Sequence, residues 1–183
     1  MIRLFDMLFS FLGIIILSPL LIILFIIGYF DTGSPLFRQQ RVGRNMVSFP
    51  LVKFRSMQLN TLSVPTHLAN ASSLTKYGTF LRKSKLDELP QLFNVLLGHM
   101  SLVGPRPNLL NQEELIKIRE SLGVYKLRPG ITGLAQINQI DMSTPKLLAE
   151  TDAQMASNFT LYLYFKYIIL TIFGKGFGDR IIK

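Results

Sequence analysis

The sequence predicts an α+β fold that is predominantly α-helical. It comprises an N-terminal membrane helix, a short β-hairpin and amphipathic helices packed as a small globular domain at the membrane. Three observations carry this prediction. Residues 7–30 form an apolar run without a single charge. Residues 37–57 read as two strand-like runs about a turn. Most of the remainder carries apolar residues at helical spacing, bounded by capping and stop residues.

Composition sets the limits. A chain of 183 residues, 49% hydrophobic and 17% charged, is long enough for one compact domain. Its mean hydropathy of +0.34 argues against disorder. Twenty Lys+Arg against 11 Asp+Glu give a net charge of +9, which favours phosphorylated ligands, polyanions or an anionic lipid face as partners. The absence of cysteine excludes a disulfide scaffold, a thiol nucleophile and any sulfur-ligated zinc. With only two histidines, chemistry has to come from carboxylates, hydroxyls, Lys/Arg and a hard metal.

The first element is the apolar run. It exceeds the ~7–15 residues of a signal peptide and lacks a small-residue cleavage site. As a straight helix it would reach ~36 Å, enough to cross a hydrocarbon core of ~30 Å. A single spanning anchor therefore fits. Ser18-Pro19 at its middle points elsewhere: proline removes a helical N–H, and a serine hydroxyl can take up the freed carbonyl. Each leg is then ~15–17 Å, too short to cross alone. Arg3 precedes the run and Arg38, Arg41 and Arg44 follow it, so both ends carry a cytoplasmic signature. A re-entrant helix satisfies both flanks; the spanning form remains open on these residues alone. The chain is divided accordingly into a membrane helix, residues 1–30, and a domain, residues 31–183.

The hairpin is expected to turn at Gly43-Arg44-Asn45, with Pro50 demoting the second run to an edge strand. Residues 60–73 lack formal charge and periodicity and read as a loop, with His67 an ordinary surface residue.

Residues 84–98, SKLDELPQLFNVLLG, are the most informative. Pro90 belongs in a first turn, so a helix is expected to begin near Asp87, an N-cap type, and to stop at Gly98. Leu89, Leu92, Phe93 and Leu96 share one face; Asp87, Gln91 and Asn94 share the other. A capped amphipathic helix would account for Asp87 alone. It leaves Glu88 unexplained beside Arg82, Lys83 and Lys85.

Two further helices are expected. One opens with a capping-box-like Asn111/Glu114, buries Leu115, Ile118 and Leu122, and ends at Gly123. The next opens at Thr144-Pro145. Before the first of these, residues 102–107, and between the two, residues 128–133, are turn-rich, each presenting an arginine, Arg106 or Arg128, beside a proline-stiffened backbone suited to an anion. Residues 158–173 are too apolar and aromatic to face water; at ~24 Å of helix they lie on the membrane or in the core rather than span it. The tail from Gly174 to Asp179 reads as flexible.

An Asp-Glu pair at a helix start among loop arginines suits phosphoryl chemistry. Arginines and a magnesium ion would neutralise phosphate, while a carboxylate attacks phosphorus or holds the metal. A helix N-terminus favours the ionised form of Asp87.

Four ordered blocks then carry a resemblance: KFRSM (residues 53–57), LDELPQLFNVL (86–96), MSLVGPRP (100–107) and RPGITGLAQIN (128–138). Together they resemble the bacterial monotopic phosphoglycosyl transferases, from the N-terminal apolar segment to at least Asn138. The resemblance implies that a sugar-1-phosphate passes from a UDP-sugar donor to undecaprenyl phosphate. The aspartate matching Asp87 attacks the β-phosphorus, UMP leaves, and the acceptor phosphate resolves a covalent aspartyl-phosphosugar. It implies that Glu88 assists through metal binding or proton transfer, with Asp87 and Glu88 holding Mg2+. It assigns Lys53, Arg55, Arg106 and Arg128 to phosphates and substrate, and Gln136 and Asn138 to donor contacts. It implies a broken re-entrant helix with its bend at Ser18-Pro19, placing the catalytic domain on the cytoplasmic face of a bacterial inner membrane. The product would open the assembly of a surface glycan, O-antigen and capsule among them.

The chain departs from the family pattern in three places. His99 stands where an acid is common, Met46 where a glycine is common in the hairpin turn, and Gln139-Ile140 where many relatives carry Gly-Arg. The last region bears on the choice of sugar. A nucleic-acid partner is not expected, because the Lys/Arg residues are scattered and the aromatics concentrate in the apolar termini. A non-catalytic membrane adaptor would need neither Asp87 nor Glu88. The sequence does not decide an oligomeric state.

Overall fold

The computed structural model describes residues 1–59, 61 and 73–174. Most of the loop at 60–73, with His67, and nearly all of the C-terminal tail lie outside the described residues. The element order is α1 (Ile2–Thr32), β1 (Leu36–Val42), β2 (Ser48–Phe54), α2 (Lys76–Ser84), α3 (Gln91–Leu96), β3 (Ser101–Val103), α4 (Glu113–Ser121), β4 (Gly130–Thr132), α5 (Leu134–Ile137), α6 (Pro145–Ser157) and α7 (Leu161–Ile172). The mixture of helices with two small sheets is the α+β class expected.

Helix α1 is helical throughout, with Pro19 inside it. Proline at 19 leaves the carbonyl of Ile15 without its helical donor, and the Ser18 hydroxyl donates to that same carbonyl at 2.7 Å. Gly33, at φ 72°, ends the helix and returns its N–H to the Tyr29 carbonyl at 2.8 Å. Contacts with the domain run along the helix. Arg3 donates to the carbonyls of Val95 at 2.6 Å and Leu96 at 3.0 Å. The Asp6 carboxylate accepts from the Ser101 hydroxyl, the Leu102 N–H and the Tyr164 hydroxyl, each at 2.9 Å. Phe5 meets Phe165 edge-on. Farther along, Leu20, Leu21 and Leu24 pack with Phe54 and Leu81, and the Tyr77 hydroxyl donates to the Leu24 carbonyl at 2.7 Å. Burial, with Asp31 nearby, pushes the Tyr77 phenol up to about 12, so it remains a donor. The other side of α1, including Phe11, Ile16, Ile22 and Phe30, is exposed apolar surface.

The hairpin is as expected. β1 and β2 pair antiparallel from Leu36↔Phe54 to Val42↔Ser48, with the turn at residues 43–47. Pro50 lies opposite Gln40, and a two-stranded sheet has only edge strands. Asn45 and Met46 both take the left-handed region, at φ 54° and 64°.

Helix α2 is not signalled in the sequence reading. Thr75 caps it by accepting the Gly78 N–H at 2.8 Å, and Gly78 lies so close to Ser56 that a Cβ would overlap the Ser56 carbonyl.

Helix α3 corrects the expectation once. It begins at Gln91 rather than near Asp87, because Leu86–Glu88 form a separate 3-10 turn. Of its two faces, the polar one is buried, together with Val95. Gln91 and Asn94 are buried, and Asn94 accepts from the Val52 N–H at 3.0 Å and donates to the Pro50 carbonyl at 2.8 Å, bolting the helix onto β2. Phe93 (45% exposed) and Leu97 (71%) face outward, while Leu92 lies against Gly13 of α1. Gly98, at φ 89°, ends the segment as expected.

The turn-rich blocks at 102–107 and 128–133 turn out to pair. β3 and β4 form a two-stranded parallel sheet through Ser101↔Gly130 and Val103↔Thr132. Gly104 and Gly130 cross so closely that a Cβ on either would overlap the other loop's backbone. Helix α4 starts after Gln112, not with an Asn111 cap; the Gln112 side chain accepts from the Leu109 N–H instead. Leu115 is buried as expected, but Leu122 is exposed and Arg119 is buried in its place. Helix α6 opens at Pro145, although Thr144 makes no side-chain cap. In α7, Tyr164 and Tyr167 are buried, with Met155 and Val103, while Tyr162, Ile169 and Ile172 stay exposed.

Candidate active site

The carboxylate pair sits where α2 hands over to α3. Lys85 takes φ 56° to end α2, and the next three residues form the 3-10 turn. Leu86 and Leu89 on either side of the pair pack into the cluster of Leu24, Phe54 and Leu81, so the turn is held by α1, β2 and α2 together. Asp87 is consequently 7% exposed. Glu88 keeps about a quarter of its side chain open and stands 3.5 Å from the Arg106 guanidinium, a pair about one third exposed on the arginine side. At that exposure the pair's stabilising worth is small, and its interest lies in where it places the charges.

Arg106 reaches the pair from the loop after β3. Gly104 N–H donates to the Thr132 carbonyl at 2.8 Å and Gly130 N–H to the Pro105 carbonyl at 2.9 Å. The parallel sheet thus aims the arginine at Glu88. Gln136 supports the same backbone, donating to the Gly104 carbonyl at 3.2 Å. Its Oε1 is buried without a hydrogen-bond partner.

Lys53 and Arg55 project from the end of β2, the strand that packs against the 3-10 turn, and both lie over the Phe37 ring, at 5.6 and 5.4 Å from its centre. Arg55 also donates to the Ser34 carbonyl at 2.8 Å. Arg82 of α2 donates to the Ser56 hydroxyl at 2.9 Å, close to the same edge.

Two further expected site residues, Arg128 and Asn138, bond backbone carbonyls. Arg128 donates to the Gly98 carbonyl at 3.0 Å, at the far end of α3. Burial, with Arg44 and Arg3 nearby, lowers its pKa. Asn138 turns back on its own helix, donating to the Leu134 carbonyl at 2.9 Å. His99, a departure from the family pattern, stacks tilted on Phe49 with centroids 5.7 Å apart and its Nδ1 buried and unpartnered.

Sequence reasoning missed Arg119, Asp152 and Asp6. Arg119 and Asp152 form an ion pair at 2.6 Å with side chains 1% and 0% exposed. A signal was present for Arg119, which sits at helical spacing from Leu115 on the buried face of α4. None marked Asp152 or Asp6 as internal.

The donor set suits magnesium in one particular way. Among the described residues no group of three or more His, Asp or Glu side chains converges, so a cage made by protein alone does not form there. Mg2+ is commonly held by one or two carboxylates completed by substrate phosphates and water, and Asp87 with Glu88 supply two. A carboxylate on a turn, a second beside an arginine, and further cations at the strand edge together fit a phosphorylated substrate.

The family model described as bacterial sugar transferase matches residues 1–176. The chain is 40% identical to a UDP-glucose:undecaprenyl-phosphate glucose-1-phosphate transferase of Klebsiella pneumoniae over 97% of this chain and 40% of the relative. It is 39% identical to an undecaprenyl-phosphate galactose phosphotransferase of Salmonella typhimurium over 87% of this chain and 37% of the relative. It thus spans about two fifths of the length of these two. Similarity to an exopolysaccharide production protein of Rhizobium leguminosarum bv. phaseoli, at 35% identity, covers 96% of this chain and 97% of the relative.

Proposed function

The chain belongs to the bacterial sugar transferase family, and on that premise we propose that it moves a sugar-1-phosphate from a UDP-sugar to undecaprenyl phosphate at a membrane surface. The observation that carries this reading is the Asp87-Glu88 pair on its buried turn with Arg106 3.5 Å from Glu88.

The reaction proceeds in two displacements. A carboxylate oxygen of Asp87 attacks the β-phosphorus of the donor; the bond from that phosphorus to the bridging oxygen breaks, and UMP departs with the electron pair. An aspartyl-phosphosugar remains. A phosphate oxygen of undecaprenyl phosphate then attacks the same phosphorus, the Asp87 carboxylate is released, and polyprenyl-diphospho-sugar forms. Dividing the exchange lets two bulky anions use one site in turn. Arg106 neutralises phosphate charge and orients Glu88. Lys53 and Arg55, braced on Phe37 beside the turn, draw the donor's phosphates to the edge of β2. Mg2+, held by Asp87 and Glu88 jointly with donor phosphate oxygens, would supply further charge neutralisation. Gln136 acts through the Gly104 backbone.

A membrane site follows from the outward face of α3, where Phe93 and Leu97 lie exposed beside α1. Contacts from Arg3 to Gly28 of α1 with one domain support a helix that enters the bilayer and returns rather than crossing it. The acceptor's phosphate then meets the donor at the cytoplasmic boundary, the first membrane step of glycan assembly.

The test is UMP release from a panel of UDP-sugars with undecaprenyl phosphate, which also identifies the donor. Asp87→Asn is expected to lower turnover by at least about 1,000-fold while leaving membrane association unchanged. Release at the wild-type rate by that variant, or a phosphosugar adduct mapped by mass spectrometry to another residue, overturns the assignment.

A further inference from the structure

The loop that carries Arg106 is held in an unusual way. Its prolines, Pro105 and Pro107, have no N–H to donate. Four consecutive carbonyls instead accept from four separate donors outside the loop. Pro105 accepts from the Gly130 N–H at 2.9 Å, Arg106 from Arg119 Nη1 at 2.9 Å, Pro107 from Arg41 Nη1 at 3.2 Å and Asn108 from the Val42 N–H at 3.0 Å. With its carbonyls taken up along this stretch, the loop presents the Arg106 side chain to Glu88 at 3.5 Å.

Arg119 is the donor at Arg106 itself. Its Nε and Nη2 both go to one oxygen of Asp152, at 3.0 and 2.6 Å, and its Nη1 is shared between the Arg106 carbonyl and the Asn108 Oδ1, each at 2.9 Å. The Tyr125 hydroxyl donates to that same Asn108 oxygen at 2.9 Å. Burial pushes the Tyr125 phenol up, so it stays protonated. Burial likewise pushes the Asp152 carboxyl up, opposed by Arg119. A void of about 10 Å3 lined by Pro105, Arg106, Arg119 and Tyr125 lies at this point, room for about one water.

Buried ion pairs are weak devices for stability, since desolvation consumes most of their attraction; what they supply is a fixed geometry. We propose that the Arg119–Asp152 pair is a positioning device for Arg106, transmitted through the Arg106 carbonyl and braced by Asn108 and Tyr125. Neither Arg119 nor Asp152 touches substrate. Asp152 fixes the guanidinium plane, and Arg119 fixes the backbone from which Arg106 reaches toward Glu88 and the donor's phosphates. The inference rests on the transferase reading.

A double-mutant cycle on the full chain in membranes tests it, reading UMP release and thermal stability for Arg119→Lys, Arg106→Ala and the pair. Lysine keeps the charge but loses the planar fork. Arg119→Lys is expected to lower kcat about tenfold when Arg106 is present, and to cause no further loss in the Arg106→Ala background. Tyr125→Phe repeats the cycle with one hydroxyl removed, and decides the matter should the lysine variant not fold; a few-fold loss confined to the Arg106-containing chain is expected. Losses that multiply in both cycles would mean that the pair only stabilises the fold. Absence of UMP release by the wild-type chain would sink the transferase reading and this inference with it. Turnover by the wild type with multiplying losses sinks the positioning role alone.

Discussion

Asp87 and Glu88 are neighbours in sequence with different surroundings. Asp87 is 7% exposed, while Glu88 keeps about a quarter of its side chain open beside Arg106. Ser18 shows a comparable division of labour: its hydroxyl serves the carbonyl that the next residue, Pro19, leaves unsatisfied. Met46 is a local conflict. It holds φ 64° in the hairpin turn, where a left-handed L-residue costs about 1–2 kcal/mol. A glycine would remove that strain and give back part of it as chain entropy. Met46→Gly is thus expected to raise stability by about 0.5–1 kcal/mol, and the midpoint of thermal unfolding by ~2 °C. An unchanged or lower midpoint would show that the turn is not strained.

Among the elements, α3 is the instructive case. Apolar and polar residues segregate on it as the periodicity requires, yet periodicity cannot say which side is inside. Asn94 decides, because its amide meets an unpaired N–H and a carbonyl of β2, and satisfying both outweighs burying Phe93. The outward face then needs an apolar partner. Leu97→Glu is expected to weaken flotation with liposomes several-fold while leaving unfolding unchanged, since Leu97 is 71% exposed and a surface substitution alters stability by only ~0.5 kcal/mol. Equal flotation of the variant would remove α3 from the membrane face. The parallel pairing of β3 with β4 was hidden for a different reason. Strands of three residues carry too little pattern to register, and the glycines that let them cross read locally as turns. Residue patterns gave the hairpin and its edge proline, the starts of α6 and the stops at Gly98 and Gly123, all of which are encoded in a few adjacent positions.

For the whole molecule, the polar donors at one end of α1 and the apolar contacts at the other tie both ends to the same domain. Between Arg3 and Gly28 a straight helix would run about 38 Å, more than the ~30 Å hydrocarbon thickness. On the re-entrant reading proposed above, both ends stay on the side of the domain that holds them. A tag at Met1 is accordingly expected to be shielded from labelling on the periplasmic side; labelling from that side would mean that the helix spans.

The sequence by itself determined the long apolar N-terminal helix, the hairpin, the adjacency of Asp87 and Glu88 and the family, because each is written in short contiguous blocks whose chemistry is local. Only the tertiary structure decided which face of α3 is buried, that Arg106 stands beside Glu88, and that Arg119 and Asp152 meet inside. Those outcomes depend on hydrogen bonds between residues distant in the chain. Whether a buried polar group finds its partner is a property of the packed whole, invisible to any local pattern.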